Sequence, residues 1–159
     1  MFDIPLLLPN NQNDIDLMSL IKEHLKEETI DLSLQCQKCN KLNFKYKKKI
    51  KFSKLNDVIV FSLQRLNTVL STKNNIHVTF TEYLNLYEFC DNDLNIPNTL
   101  YRLFGTINHN GEINFGHYYS YIRFGDIWYQ FNDSFVNKQL NFNFRSSSVC
   151  GLLYEKVEI

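Results

Sequence analysis

Gly125-Asp126, set between two strand-like runs, constrains this chain more than any other pair of residues. The surrounding stretch is GHYYSYIRFGDIWYQFND, residues 116–133. A Gly-X pair between such runs specifies a two-residue hairpin turn. The register follows: Phe124 faces Ile127, and Tyr121 faces Gln130. Side chains alternate between the two faces of a strand. One face carries Tyr118, Ser120, Ile122, Phe124, Ile127, Tyr129, Phe131 and Asp133; it is mostly apolar and is expected to face the core. The other carries His117, Tyr119, Tyr121, Arg123, Trp128, Gln130, Asn132 and Ser134, rings with polar tips that suit a recognition surface. His117 and Asn132 are diagonal neighbours on it, roughly 7–8 Å apart by the cross-strand rule. A histidine oriented by an amide is two parts of a Cys-His-Asn hydrolase. Asp133 falls on the opposite face, a choice that a three-residue turn would reverse. The competing reading is a surface hairpin with an incidental His and Asn.

The rest of the chain is read around that hairpin. Its 159 residues suffice for one domain with a core. The formal net charge is zero, so composition gives no electrostatic case for nucleic acid or an anionic membrane. No apolar run approaches the roughly 18 residues of a membrane span, and the start, MFDIPLLLPNNQND, has no basic leader or cleavage site. Residues 2–9 read as an extended segment that Pro5 and Pro9 keep out of a sheet interior. Asp14 or Asp16 caps an amphipathic helix over residues 16–27, built on Leu17, Leu20, Ile21 and Leu25. His24 beside that stripe is assigned nothing.

Cys36 and Cys39 have the spacing of a zinc knuckle, and both a metal half-site and a pair of free thiols fit them. Four cysteines with one such pair fit a reducing compartment better than a disulfide framework. Residues 44–52 alternate apolar residues with Lys45, Lys47, Lys49 and Lys51, a strand whose lysine face reads as solvated rather than as a nucleic-acid patch. VIVFSL at 58–63 is a buried-strand run, 67–77 a surface loop, 78–89 extended, 91–98 a loop, 101–107 a strand, 109–116 a loop and 147–157 a closing strand. Strands dominate, and their connections favour antiparallel pairing. Alanine is absent while Asn, Lys, Ile and Phe abound, which reads as AT-rich coding sequence.

Several segments together resemble the ubiquitin-specific proteases, papain-like cysteine deubiquitinases with a thumb, palm and fingers. They are YRLFGTINHNGEINFGHYYSYIRFGDIWYQFNDSFV at 101–136, VIVFSLQRL at 58–66 with Arg65-Leu66, LQCQKC at 34–39 and LLYEK at 152–156. The resemblance implies an α+β fold, mostly antiparallel β, with one N-terminal helix and the thumb missing. Residues 1–159 would then be a partial catalytic domain, the palm and part of the fingers. His117 matches the general base, Asn132 the residue that orients it, and Asp133 a neighbouring acid. His109, Gly116, Tyr118 and Tyr121 match or flank the loop over the ubiquitin tail, and residues 67–76 a second such loop. Cys36 and Cys39 match one of two zinc-binding pairs, so zinc is expected only where a second pair is supplied upstream or by a partner; no organic cofactor is implied. Nothing resembles the Cys box that carries the family's nucleophile.

The resemblance therefore implies cleavage after ubiquitin's C-terminal glycine by the complete centre, and an inactive chain on its own. The alternatives are a catalytically dead homologue that binds ubiquitin or scaffolds a complex, and a zinc-ribbon β domain unrelated to ubiquitin. The expected partners are ubiquitin or a ubiquitinated protein and a missing N-terminal segment, in cytoplasm or nucleus. Without a thumb, one apolar sheet face is expected to lie open.

Overall fold

The computed structural model describes residues 2–31, 34–43, 45–67 and 72–158. The chain opens with β1 (Phe2–Leu7), β2 (Asp14–Asp16) and α1 (Leu17–His24). Asp16 caps the helix: its Oδ1 accepts from the Ser19 amide at 2.9 Å and its Oδ2 from the Ser19 hydroxyl at 2.6 Å. Leu17, Leu20 and Ile21 are buried on the expected stripe, while His24 is exposed. The helix stops short of residue 27 because Glu28 is drawn into a ladder. Two small ladders form an arm: β3 (Glu28–Ile30) pairs with β6 (Tyr46–Lys48), and β4 (Leu34–Gln35) with β5 (Leu42–Asn43). The lysine strand is thus shorter than residues 44–52, and Phe44 lies outside the described residues.

Next come β7 (Val58–Gln64), β8 (Leu66–Asn67), β9 (Thr72–Lys73), β10 (His77–Thr79) and β11 (Tyr83–Asn85). The segment 67–77, read as a loop, is thus partly strand, and its residues 68–71 lie outside the described set. Then follow β12 (Leu100–Gly111), β13 (Gly116–Phe124), β14 (Ile127–Asn132), β15 (Phe135–Gln139), β16 (Arg145–Ser146) and β17 (Val149–Lys156). The loop read over 109–116 shrinks to its centre, because His109, Asn110 and Gly111 pair with Tyr118, His117 and Gly116. Among the described residues no helix is long and apolar enough to cross a membrane.

The main sheet has the order β1-β7-β17-β12-β13-β14-β15, with β11 also pairing β12. All its pairs are antiparallel except β1 with β7. The fold is therefore the mostly antiparallel α+β type expected, with a single α-helix among the described residues. β1 is an edge strand, the position that tolerates Pro5. The hairpin register holds as read, with Phe124 opposite Ile127 and Tyr121 opposite Gln130, and Gly125 takes φ +60° in the turn.

The two faces are the reverse of the sequence expectation. Trp128 is 7% exposed, whereas Tyr118 and Phe124 are each 59% exposed and Ile127 is 38% exposed. The segment after β15 folds back over the face of Tyr119, Tyr121 and Trp128, and Phe142 stacks on Trp128 at 3.8 Å between ring centroids. Apolar content says how much surface wants cover, not which side receives it. The buried face continues through Leu152, Tyr154, Ile59, Phe61 and Ile4, with Phe61 and Tyr154 meeting edge to face at 6.0 Å. β7, expected to be buried on both faces, is buried only at Ile59, Phe61 and Leu63. The opposite face lies open from Phe124 and Ile127 across Ile107 to Leu7.

Candidate active site

His117 begins β13 and Asn132 ends β14, so the hairpin carries both to the same end of the sheet. They meet: His117 Nε2 lies 2.5 Å from Asn132 Oδ1. An amide oxygen can only accept, so Nε2 carries the proton and Nδ1 keeps its lone pair. In the neutral ring this contact fixes the tautomer, with the proton on Nε2 and the lone pair on Nδ1. Asp133 departs from its expected place. Strand parity ends with β14 at Asn132, and Asp133 takes φ +51°, a left-handed conformation that Asp tolerates. That turn swings its carboxylate to 3.8 Å from His117 Nε2 instead of to the far face.

Beneath His117 lies a second layer. His109 is buried, and its ring packs on Tyr118 with centroids 4.5 Å apart. Gly116 sits so closely on that ring that a Cβ there would run into it. Gly111, at φ +96°, returns the chain from β12 with its Cα side against the Phe115 carbonyl, where a Cβ has no room. Lys73 ties the adjoining β8–β9 pair to this layer, donating to the carbonyl of His109 at 2.7 Å and that of Gly111 at 2.8 Å. Burial first, and then the Lys73 charge, pull the His109 pKa down.

Arg65, just before β8, anchors this pair of strands. Its guanidinium donates to the carbonyls of Val149, Asn74, Ile76 and Ser146, joining residues 74–76 to residues 146–149. Burial lowers its pKa to about 10. Gln64, Arg65, Lys73, His109, Tyr118 and Cys150 line a cleft of about 230 Å³. Of the residues expected to hold a ubiquitin tail, His109, Gly116 and Tyr118 come together here. Tyr121 does not: it lies on the covered face, against Phe142 at 5.5 Å, with its hydroxyl accepting from Gln130. Nothing in the residue pattern pointed to Lys73, which sits in a polar stretch without periodicity.

The cysteines are placed elsewhere. Cys90 is buried and donates to the Leu86 carbonyl, and Cys150 donates to that of Ile107; burial pushes both thiol pKa values up. Cys36 and Cys39 occupy the turn between β4 and β5. The amides of Cys39 and Lys38, together with the Cys39 thiol, hydrogen-bond Cys36 and lower its pKa. A tetrahedral metal site takes four such ligands. Among the described residues no group of three or more His, Cys, Asp or Glu completes one.

Comparison with known proteins adds the following. A family model described as ubiquitin carboxyl-terminal hydrolase matches residues 11–154. Ubiquitin carboxyl-terminal hydrolase 8 of Saccharomyces cerevisiae is 30% identical over 126 residues, covering 72% of this chain and 26% of that protein. Ubiquitin carboxyl-terminal hydrolase 10 of Arabidopsis thaliana is 33% identical over 154 residues, covering 92% of this chain and 16% of that protein. Among solved structures, the SAGA DUB module of Ubp8, Sgf11, Sus1 and Sgf73 bound to monoubiquitin superposes with a TM-score of 0.82 at 26% identity. The match covers 99% of this chain and 35% of the matched chain. The same module bound to ubiquitin aldehyde gives a TM-score of 0.80 at 25% identity, covering 99% and 36%. The chain therefore spans only 16–26% of the length of these two curated relatives.

Proposed function

The chain belongs to the ubiquitin carboxyl-terminal hydrolase family, and from that premise we propose that it supplies the histidine half of a thiol-dependent deubiquitinase centre. The observation that carries this reading is the bond from His117 Nε2 to Asn132 Oδ1. It leaves Nδ1 as the only basic ring nitrogen. A cysteine thiol on that side would lose its proton to Nδ1 as its sulfur attacks the carbonyl carbon of ubiquitin's C-terminal glycine. The imidazolium would then give the proton to the leaving amine, and His117 would next draw a proton from the water that cleaves the thioester. Asn132 holds the tautomer throughout, and the Asp133 carboxylate at 3.8 Å favours the transient cation.

None of the chain's four cysteines suits the role of nucleophile. Two sit in the arm and two donate to carbonyls as protonated thiols. We read residues 1–159 as the palm and fingers part of the catalytic domain, inactive alone. The test is turnover of a fluorogenic ubiquitin C-terminal amide. The expected result is none from this chain, and activity once a relative's Cys-bearing segment is fused upstream, lost again on His117→Ala. Turnover by the chain alone, abolished by His117→Ala, would show that it holds its own nucleophile.

A second reading is a dead homologue that grips the ubiquitin tail. The cleft of His109, Tyr118 and Lys73 favours it, because that layer is assembled without any nucleophile. Ubiquitin binding that persists when the fused enzyme stays inactive would select this reading.

A further inference from the structure

Arg65 and Lys73 are cations without counter-ions. Arg65 is 3% exposed, and its guanidinium is held by carbonyl oxygens. Lys73 is half-buried, and its ammonium is likewise held by two carbonyls. Neither forms an ion pair among the described residues, whereas each of the other three arginines does. Both side chains line the cleft beside His109, and no Asp or Glu lines it with them. Burial lowers the Lys73 pKa, the Arg65 charge lowers it further, and Glu112 pulls back by less. Asp3 accepts from Ser62, a residue of the cleft wall, at 2.6 Å and pairs with neither cation. Burial pushes the Cys150 thiol up, so it supplies no thiolate at neutral pH. Taking charge out of water without an opposite charge is costly, so a cleft with these walls favours an anion.

The centre described above makes such an anion. In a conjugate the last ubiquitin glycine ends in a neutral amide. Water cleaves the thioester by adding its oxygen to the carbonyl carbon as the carbon–sulfur bond breaks. One proton returns to sulfur and the other to solvent, and the glycine leaves as a carboxylate, ionised at neutral pH because its pKa is about 3.5. His109 joins the two places: its ring lines the cleft, Gly116 packs on that ring, and His117 follows Gly116 in β13. Leu66 and Tyr118, both exposed, add apolar wall that a chain end can use and a small inorganic anion cannot. The cleft of about 230 Å³ is smaller than the roughly 300–1,000 Å³ of drug-sized sites, which suits a chain end rather than a folded surface.

We propose that Arg65 and Lys73 form a carboxylate site that holds ubiquitin by its free C-terminus, so that cleaved ubiquitin binds more tightly than conjugated ubiquitin. The identity of the ligand rests on the deubiquitinase reading; the preference for an anion rests on the cleft alone. Free ubiquitin then competes with conjugates for the centre.

The test uses the full chain and two peptides that carry a neutral dye and no charge except at the terminus. One ends in Gly-Gly with a free carboxylate, the other in Gly-Gly carboxamide, and inorganic phosphate is the competitor. Fluorescence anisotropy is expected to show the carboxylate peptide binding about fivefold more tightly at low salt, with the difference shrinking as salt rises. Lys73→Gln keeps an amide donor and removes the charge; the difference should fall below about twofold with an unchanged circular dichroism spectrum. Lys73→Arg keeps the charge and should keep the difference. Equal affinity of the two peptides, no binding of the carboxylate peptide, or a full difference in Lys73→Gln each overturns the proposal. So does phosphate that binds as tightly as the carboxylate peptide, since the cleft would then serve a small inorganic anion. Turnover by the fused enzyme tests catalysis separately. An active fusion with equal peptide binding overturns this proposal alone, and a discriminating cleft in an inactive fusion overturns the catalytic reading alone.

Discussion

The site depends on contacts that single atoms decide. Gly116→Ala puts a methyl into the His109 ring. Overpacking of this kind costs about 1–3 kcal/mol, so the thermal midpoint should fall by several degrees and His117 should lose its bond to Asn132. Thermal melting and imidazole nitrogen NMR read the two effects separately. His109 also makes stability depend on pH. Its folded pKa is lowered, so the unfolded chain binds the proton more tightly and stability rises with pH. The contribution is whole above the unfolded value of about 6.5 and declines as pH falls below it. Melting curves between neutral and mildly acidic pH should show this decline, and His109→Gln should flatten it. Residue spacing made His117 and Asn132 legible, because the diagonal rule applies wherever a hairpin register is known. Asp133 was misplaced because alternation says nothing beyond the last paired residue.

Elements tell a different story about what sequence can show. The turn, the register, the helix cap at Asp16 and the edge position of β1 were legible, since each is set by local chemistry. The buried face of the hairpin was not, because it is decided by Phe142, which returns from beyond β15. The two faces should respond accordingly. Trp128→Ala removes a buried ring stacked on Phe142 and should cost about 3–5 kcal/mol. Phe124→Ser, on the open face, should stay within about 0.5 kcal/mol of the parent. Denaturant titration of the two variants checks both values, and equal losses would restore the original face assignment. Lys73 couples two elements whose link no sequence pattern announced. Lys73→Met frees the His109 and Gly111 carbonyls, and at this partly exposed site the loss should be about 1 kcal/mol. Amide exchange should quicken across residues 109–116 before the sheet core is affected.

For the molecule as a whole, the open face running from Phe124 to Leu7 is the largest unmet demand. Exposed apolar surface of this extent favours association. Light scattering should show the chain's mass rising with concentration, and Phe124→Lys with Ile127→Lys should hold it monomeric. That face was expected from the resemblance, although its residues were placed on the wrong side of the hairpin. The sheet order carries a further consequence, for the sequence of events in which the chain is made. β17 follows β13, β14 and β15 in sequence, yet it lies between β7 and β12, in the interior of the sheet. During synthesis β7 and β12 emerge long before the strand that joins them, and each waits with an unpaired edge and an uncovered face. Such distant pairings form slowly and leave intermediates open to wrong partners. The sheet is thus most exposed to misfolding while it waits for β17, and loss of that strand would divide the sheet rather than trim it.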